Sequence, residues 1–284
     1  MSRVVLLGGN GFIGSAIQRR LQALSFPVLA PRSGDLNLAD ASAGDKLAGL
    51  LDPADAIVML AAITPDKGRD TAALMKNLAI MQSVCAAVAK AGCAHFVYYS
   101  SDAVYDPEQS RVAEGTPASP QDLYGAMHCT REIMARGIPK LPVLVLRPTL
   151  VYGIEDTHNS YGPNRFRRAA LKDGKIALFG GGEETRDHIH VDDVAALTVR
   201  CIAAKKTGTF NVATGTSRSF HEVAGIVARQ FPKPVEIATS PRANPVTHRH
   251  YDVTNLVKAF PDFRFTALED GVTRVHQQMM EAAR

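Results

Sequence analysis

Val4-Val5-Leu6-Leu7 runs directly into Gly8-Gly9-Asn10-Gly11-Phe12-Ile13-Gly14, and a helical pattern over Phe12–Leu24 opens on those last residues. The four apolar residues suit a strand buried on both faces. The turn after them needs positive φ, which glycine adopts without a Cβ penalty. Missing side chains also let backbone N–H groups approach an anion, and the start of the helix adds aligned donors and a partial positive charge. Gly9, Gly11 and Gly14 satisfy G-x-G-x-x-G, while Gly8, Gly11 and Gly14 satisfy G-x-x-G-x-x-G. Between a strand and an amphipathic helix, that spacing marks a turn that cradles a pyrophosphate.

Outward from this turn the chain alternates. Short apolar runs at Pro27–Ala30, Ala56–Ala61, His95–Tyr99 and Val143–Leu146 read as further strands. Helical patterns at Thr71–Lys90 and Asp122–Ala135 separate them, with a weaker one at Ala39–Leu51. Such alternation implies parallel strands joined by right-handed crossovers, a Rossmann-type doubly wound α/β sheet. After Pro148 the rhythm changes. Gly, Pro, Asn and Asp cluster between Gly153 and Asn164, followed by a helix at Arg165–Leu171, strands at Lys175–Phe179 and Thr209–Val212, a helix start at Asp192-Asp193, and a helix from Ser219 to about Gln230. A small mixed α/β C-terminal substrate lobe is expected. Residues 1–152 plus about 188–213 are assigned to a dinucleotide-binding domain, and about 153–187 plus 214–284 to an interleaved substrate-binding lobe.

Bulk properties narrow the partners. The 284 residues carry a net charge of +4, a weak attraction for anions and no argument for nucleic acid. The densest basic stretch, Arg165, Arg167 and Arg168, is short, and reads as a solvated helix face or a phosphate contact. No signal-peptide pattern is read at Met1–Leu7, and no apolar stretch is judged long enough to span a membrane. The four cysteines, Cys85, Cys93, Cys129 and Cys201, show no metal spacing and suit a reducing cytoplasm. No metal site is expected; His95, His158, His248 and His250 are read as surface or loop residues.

The acid that receives a ribose 2′-hydroxyl is missing after the second strand. Arg32 and Ser33 stand there instead, followed by Asp35-Leu36 for the adenine edge. A guanidinium pairs well with a 2′-phosphate, so NADP is expected to be preferred over NAD.

Beyond the fourth strand come Ser100-Ser101-Asp102-Ala103-Val104-Tyr105 and Tyr124-Gly125-Ala126-Met127-His128, then Leu146-Arg147-Pro148, Val151-Tyr152-Gly153 and Arg186-Asp187-His188-Ile189-His190-Val191 with Asp193. In this order the chain resembles the extended short-chain dehydrogenase/reductases, in their NAD-dependent epimerase/dehydratase branch acting on nucleotide sugars. The resemblance implies a hydride transfer at a sugar carbinol or ketone. Ser101 hydrogen-bonds the reacting hydroxyl, and Tyr124 takes its proton. It also implies that Gly8, Gly11, Phe12, Ile13, Gly14, Leu60, Ala61, Ala62, Asn77 and Pro148 line the cofactor. Asp102, Asn164, Arg186 and Arg218 are implied as substrate contacts, the two arginines at the nucleotide or its phosphates.

One position departs from the pattern. The family's Tyr-x-x-x-Lys falls on Tyr124 and residue 128, and residue 128 is histidine. Positions i and i+4 share a helix face, so His128 points where the lysine does. A neutral imidazole can hold a ribose hydroxyl; an imidazolium, with an ordinary pKa near 6.5, also steadies a tyrosinate. The enzyme reading therefore stands beside two others: a weak or inactive NADP-binding protein with a sensor or regulatory role, and an atypical reductase of a non-nucleotide substrate. Ala103, where dehydratases carry a Glu, argues against 4,6-dehydration. The resemblance further implies a homodimer formed through Thr71–Lys90 and Asp122–Ala135.

Overall fold

The structure, a computed structural model, describes residues 3–242 and 245–282. Its strands are β1 (Val4–Leu7), β2 (Val28–Leu29), β3 (Ala56–Met59), β4 (His95–Tyr99), β5 (Arg111–Val112), β6 (Val143–Pro148), β7 (Leu150–Tyr152), β8 (Lys175–Phe179), β9 (Thr185–His190), β10 (Gly208–Val212), β11 (Ser217–Ser219), β12 (Glu236–Ser240) and β13 (His250–Tyr251). Its helices are α1 (Phe12–Ala23), α2 (Ala43–Ala48), α3 (Thr71–Ala91), α4 (Leu123–Arg136), α5 (Pro163–Asp173), α6 (Val191–Ala203), α7 (Phe220–Ala228), α8 (Thr254–Ala259) and α9 (Leu268–Ala282).

Two compact units form. The first is Met1–Asp106, Thr116–Pro148 and Val194–Asn211; the second is Pro107–Gly115, Thr149–Asp193 and Val212–Arg284.

In the first unit six strands make one sheet in the order β10-β6-β4-β3-β1-β2. The pairs from β2 through β6 are parallel. From β1 the chain steps out to β2, then returns to β3 on the other side of β1. That reversal is the topological switch point, where α/β sheets bind ligands at the carboxyl ends of their strands. β1, β3 and β4 are buried along their whole length, which explains continuous apolar runs in place of alternation. Val5, Leu7, Ile57, Met59, Phe96, Tyr98 and Val145 pack with Ile80, Met81 and Val84 of α3 in one core.

Two sequence expectations change here. α3 has 21 residues and is long and apolar enough, by length and composition, to cross a membrane. Its stripe of Asn77, Ile80, Met81, Val84, Ala87 and Val88 is nevertheless buried within the unit, where α3 packs on α2 and α4. His95 is no surface residue: it is buried in β4, with Nε2 2.7 Å from the Lys206 carbonyl oxygen.

The second unit holds three small sheets, β11-β9-β7, β12-β8 and β13-β5. Tyr152, Phe166, Ile176, Leu178, Phe220, Val223, Val272 and Val275 form its core. Arg167 does not belong to a solvated helix face. It is buried, and its Nη1 donates to the Val275 carbonyl oxygen at 2.9 Å. Asp187 on β9 accepts from the Thr214 N–H (3.0 Å), the Thr214 hydroxyl (3.0 Å) and the Thr216 N–H (3.1 Å), which fixes the turn leading into β11.

One ionic cluster ties α4 to the large sheet. Glu132 takes Arg147 in a two-pronged bond, Nε to Oε1 at 2.8 Å and Nη2 to Oε2 at 2.7 Å, and also accepts from the Ser100 hydroxyl at 2.6 Å. Arg147 donates onward to Tyr105 Oη at 2.9 Å, and Tyr105 donates to Asn211 at 2.7 Å. Burial pushes the Glu132 carboxyl up, but the Arg147 bonds outweigh it and hold the carboxyl below its ordinary pKa. The stabilisation from this pairing is present above the unfolded carboxyl's pKa and is lost as pH falls through the lowered folded value. Glu132→Ala leaves a buried guanidinium without its carboxylate, a change that costs about 3–5 kcal/mol. The expected result is a lower urea midpoint at an unchanged slope; a midpoint equal to wild type contradicts this account.

Candidate active site

The glycine turn presents donors and little else. Gly11 precedes α1 with extended backbone, no side chain caps the helix, and its first turn holds no acidic residue. The N–H groups that open a helix lack intrahelical partners, so this end suits an anionic group. Gly8 has φ +96°, and a Cβ there meets the Ala61 backbone nitrogen at 2.8 Å. The loops after β1 and β3 therefore touch backbone to backbone, with the Leu60 and Ala61 N–H groups both donating to the Leu7 carbonyl oxygen at 2.8 Å.

Asn77 is buried on α3. Its carboxamide accepts from Ile63 N–H at 2.9 Å and donates to Ile63 O at 3.0 Å, so it clamps the segment that carries Leu60, Ala61 and Ala62. After β2, Arg32, Ser33 and Asp35 are exposed, while Leu36 is buried. The Asp35 and Leu36 N–H groups close a turn on the Arg32 carbonyl oxygen. Pro148 is buried at the end of β6.

Ser101, Tyr124 and His128 come together. A single helical turn over Asp102–Val104 follows β4, capped by the Ser101 hydroxyl, which accepts from Ala103 N–H at 3.1 Å. Asp122 caps α4, accepting from Gly125 N–H at 2.7 Å. At Gly125 any Cβ collides with the Ala103 carbonyl oxygen. The absence of that side chain lets the first turn of α4 sit on the Ser101 turn, which brings Ser101 near enough to Tyr124 to lower its pKa. Burial, then the Asp102 charge, pushes the Tyr124 phenol up to about 12; Arg131 and the nearby Ser101 hydroxyl pull the other way.

His128 lies edge-on to Tyr124, ring centroids 4.6 Å apart at 89°. It is 3 % exposed. Burial, and next the positive charge of Arg131, hold its pKa well below the ordinary value. Its Nδ1 is 2.7 Å from the Tyr98 hydroxyl. Burial raises the pKa of Tyr98, so that phenol keeps its proton, and with no other acceptor beside it among the described residues the hydroxyl is assigned as the donor to Nδ1. The neutral ring then carries its own proton on Nε2, which is buried without a partner.

Sequence reasoning passed over Tyr98 and Arg131. Arg131 is 1 % exposed. Its Nη2 donates to the Ala61 carbonyl oxygen at 2.8 Å, its Nη1 to Met127 Sδ at 3.7 Å, and its guanidinium lies 5.3 Å from the centre of the Tyr98 ring. Its position three residues beyond His128, on the same helix face, was the available signal. An uncapped helix start, a glycine-rich turn and an orphaned imidazole nitrogen fit a dinucleotide with ribose hydroxyls.

The expected substrate contacts divide. Asp102 stands beside Ser101 and accepts from its hydroxyl at 3.4 Å. In the second unit Asn164 is buried, donating to Asp156 at 2.8 Å and accepting from Gly153 N–H at 3.4 Å. Arg186 and Arg218 are directly opposite on β9 and β11. Arg186 donates to Thr247 O at 2.8 Å and lies 3.9 Å from Glu184; Arg218 lies 3.5 Å from Glu222 and 3.9 Å from Glu269.

These environments set a pH dependence. Below about 6.5 an unfolded histidine binds a proton that buried His128 refuses. His188, with both ring nitrogens buried and unpartnered, is pushed down to about 3 by burial and acts in the same direction. Folding stability therefore falls as pH drops from about 6.5 toward 3. Ring NMR is expected to show His128 unprotonated from pH 8 to 6, where solvent-exposed histidines begin to titrate; a His128 midpoint near 6.5 contradicts the burial argument.

Solved structures share this architecture. UDP-N-acetylglucosamine 4-epimerase from Methanobrevibacter ruminantium, in complex with UDP-N-acetylmuramic acid, is 21% identical with a TM-score of 0.84, covering 99% of each chain. UDP-glucose 4-epimerase from Thermus thermophilus, in complex with NAD, is 22% identical with a TM-score of 0.82, again over 99% of each chain. A GDP-L-fucose synthetase from Naegleria fowleri is 16% identical with a TM-score of 0.86, over 99% of this chain and 94% of that one. The family model for the NAD dependent epimerase/dehydratase family matches residues 4–213, the stretch that holds the glycine turn, Ser101, Tyr124 and His128, and the chain belongs to that family.

Proposed function

We propose that the chain is an NAD(P)-dependent oxidoreductase or epimerase of nucleotide sugars, with Ser101 and Tyr124 handling the proton and His128 donating to a ribose hydroxyl of the cofactor. The observation that carries this reading is the seating of Tyr124, in the first turn of α4, on the Ser101 turn through Gly125 and Ala103, with its ring edge-on to His128, whose Nε2 is buried without a partner. A nicotinamide supplies the hydride acceptor or donor. In the oxidative direction the deprotonated Tyr124 oxygen takes the proton of the sugar hydroxyl while the carbinol carbon gives up its hydride. Ser101 holds that hydroxyl in line.

Ala103 next to Asp102 leaves no second carboxylic acid for elimination, which favours epimerisation or keto-sugar reduction over 4,6-dehydration. Nucleotide sugars are supported by the relatives: the Methanobrevibacter and Thermus enzymes are UDP-sugar epimerases by name. The Thermus enzyme is seen with NAD; in this chain the exposed Arg32-Ser33 pair after β2 supports NADP as the tighter cofactor.

A binding-only role is the second reading, favoured by one observation: a neutral imidazole at 128 beside a phenol pushed up to about 12. A panel of UDP- and GDP-sugars with each oxidised and reduced cofactor separates the two. Tyr124→Phe is expected to lower turnover about 10²–10⁴-fold, the usual worth of a general acid–base group, with cofactor affinity unchanged. A fully active Tyr124→Phe removes Tyr124 from the chemistry. Cofactor binding without turnover on any sugar favours the binding-only role.

For the cofactor, fluorescence titration is expected to show NADPH binding more tightly than NADH. Arg32→Ala should weaken NADPH about tenfold and spare NADH, consistent with one charge-assisted phosphate contact. Tighter NADH binding by the wild type refutes the preference.

A further inference from the structure

Tyr124 must lose its proton to act as a base, and its surroundings oppose this. Its phenol is largely enclosed, and Asp102 adds negative charge. The neighbour at position 128 offers a hydrogen-bond donor but no charge, because the Tyr98 hydroxyl occupies Nδ1 of a neutral ring. A cation is nevertheless present. The guanidinium of Arg131 is 1 % exposed and is held only by neutral acceptors, the Ala61 carbonyl oxygen and Met127 Sδ. Among the described residues Arg131 makes no ion pair, and its Nε is buried without a partner. A buried charge with no counter-charge is costly. Here the charge is left over for the groups around it.

We propose that Arg131 is the positioning cation of this site: it supplies the fixed positive charge that steadies the Tyr124 phenolate, while His128 supplies only the hydrogen-bond donor. Two side chains thus divide what a single lysine at position 128 does alone. The proposal rests on the reading of Tyr124 as the proton-transfer group.

The groups that face this charge are few. Tyr98 comes from β4 and lies under the guanidinium. Cys85 comes from α3, and Arg131 lowers its thiol against the rise caused by burial. Asp102 comes from the turn after β4 and acts on Tyr124 with a sign opposite to Arg131. On α4 itself, Asp122 is tied to Gly125 N–H, Cys129 carries a thiol raised by burial, and Glu132 is occupied by Arg147 and Ser100. No carboxylate is bonded to Arg131 among the described residues, so its field reaches the Tyr124–His128 pair.

This makes a lysine at 128 a poor improvement in the natural background. His128→Lys alone places a second buried cation one helical turn from Arg131, and like charges in one site disfavour each other. The same change is expected to help only once Arg131 is neutral.

The test compares wild type, Arg131→Met, Arg131→Lys, His128→Lys and the double variant Arg131→Met/His128→Lys. The first readout needs no substrate or cofactor: the NMR titration of the His128 ring. Arg131→Met is expected to raise the His128 pKa toward its ordinary value, and Arg131→Lys to leave it as in wild type. The second readout is the pH profile of kcat on a substrate found in the sugar panel. Arg131→Met should lower kcat near pH 7 about tenfold or more and shift the basic group's limb upward by about one unit, the scale of a nearby opposite charge, with KM nearly unchanged. Arg131→Lys should recover most of this. The double variant should exceed both single variants, which makes the coupling strongly non-additive.

A folded Arg131→Met with an unmoved His128 titration overturns the proposal. So does equal loss in Arg131→Met and Arg131→Lys with no shift of the limb, which marks a packing role. If no sugar is turned over by wild type, the proposed function fails, and the His128 titration alone then decides whether Arg131 charges the site.

Discussion

Helix α4 turns an ionic face toward the large sheet, and the site depends on how that face is satisfied. His128, Arg131 and Glu132 are all buried on it. Each polar group taken out of water needs a partner or it destabilises the fold by more than a hydrogen bond returns. Glu132 is answered by Arg147 of β6 and by Ser100 just after β4; His128 by Tyr98 of β4; Arg131 by the Ala61 carbonyl oxygen after β3. Three neighbouring strands of the sheet, β6, β4 and β3, or the residues just after them, thus each send a partner to one helix. The rotation of α4 is set by these bonds rather than by loosely interchangeable apolar packing, and Tyr124 inherits that rotation from its place in the first turn.

The backbone supplies the complementary constraint at the other end of the helix. Gly125 rests on the Ala103 carbonyl oxygen, so the first turn of α4 is seated before any side chain of the site is considered. Directional ion pairs below and a steric seat above leave little freedom in the distance from Tyr124 to Ser101. Such rigidity on regular elements suits any site whose side chains must keep a fixed spacing.

Much of the first unit was legible because its signals are local and periodic. β4 and β1 were read with the bounds they have, and α1, α3 and α4 within one residue at each end, since a run buried on both faces and a helix opened by glycines or Asp122 leave plain marks. The second unit was read less well. β7, β9, β11, β12 and β13 are short or polar, with residues such as Ser217-Arg218-Ser219, and they become strands by pairing with segments distant in sequence. α9 was also passed over, although Glu269 and Asp270 sit in its first turn. The carboxamide bonds of Asn77 to Ile63 were not visible in the sequence either, because they join residues 14 apart across a loop.

Arg131 shows why electrostatic roles are harder to read than motifs. A motif is a spacing, and Tyr124 with residue 128 could be found by counting. A charge acts through distance and dielectric, and neither is visible in a string of residues. Three residues beyond His128, Arg131 looks like one more helix-surface cation. Only the fold reveals that it is enclosed, that its acceptors are neutral, and that Glu132, the adjacent acid, is already committed to Arg147. The replacement of a lysine by histidine at 128 therefore does not by itself argue for lost chemistry. Charge and hydrogen bonding are separable requirements, and a helix face can meet them from two positions one turn apart.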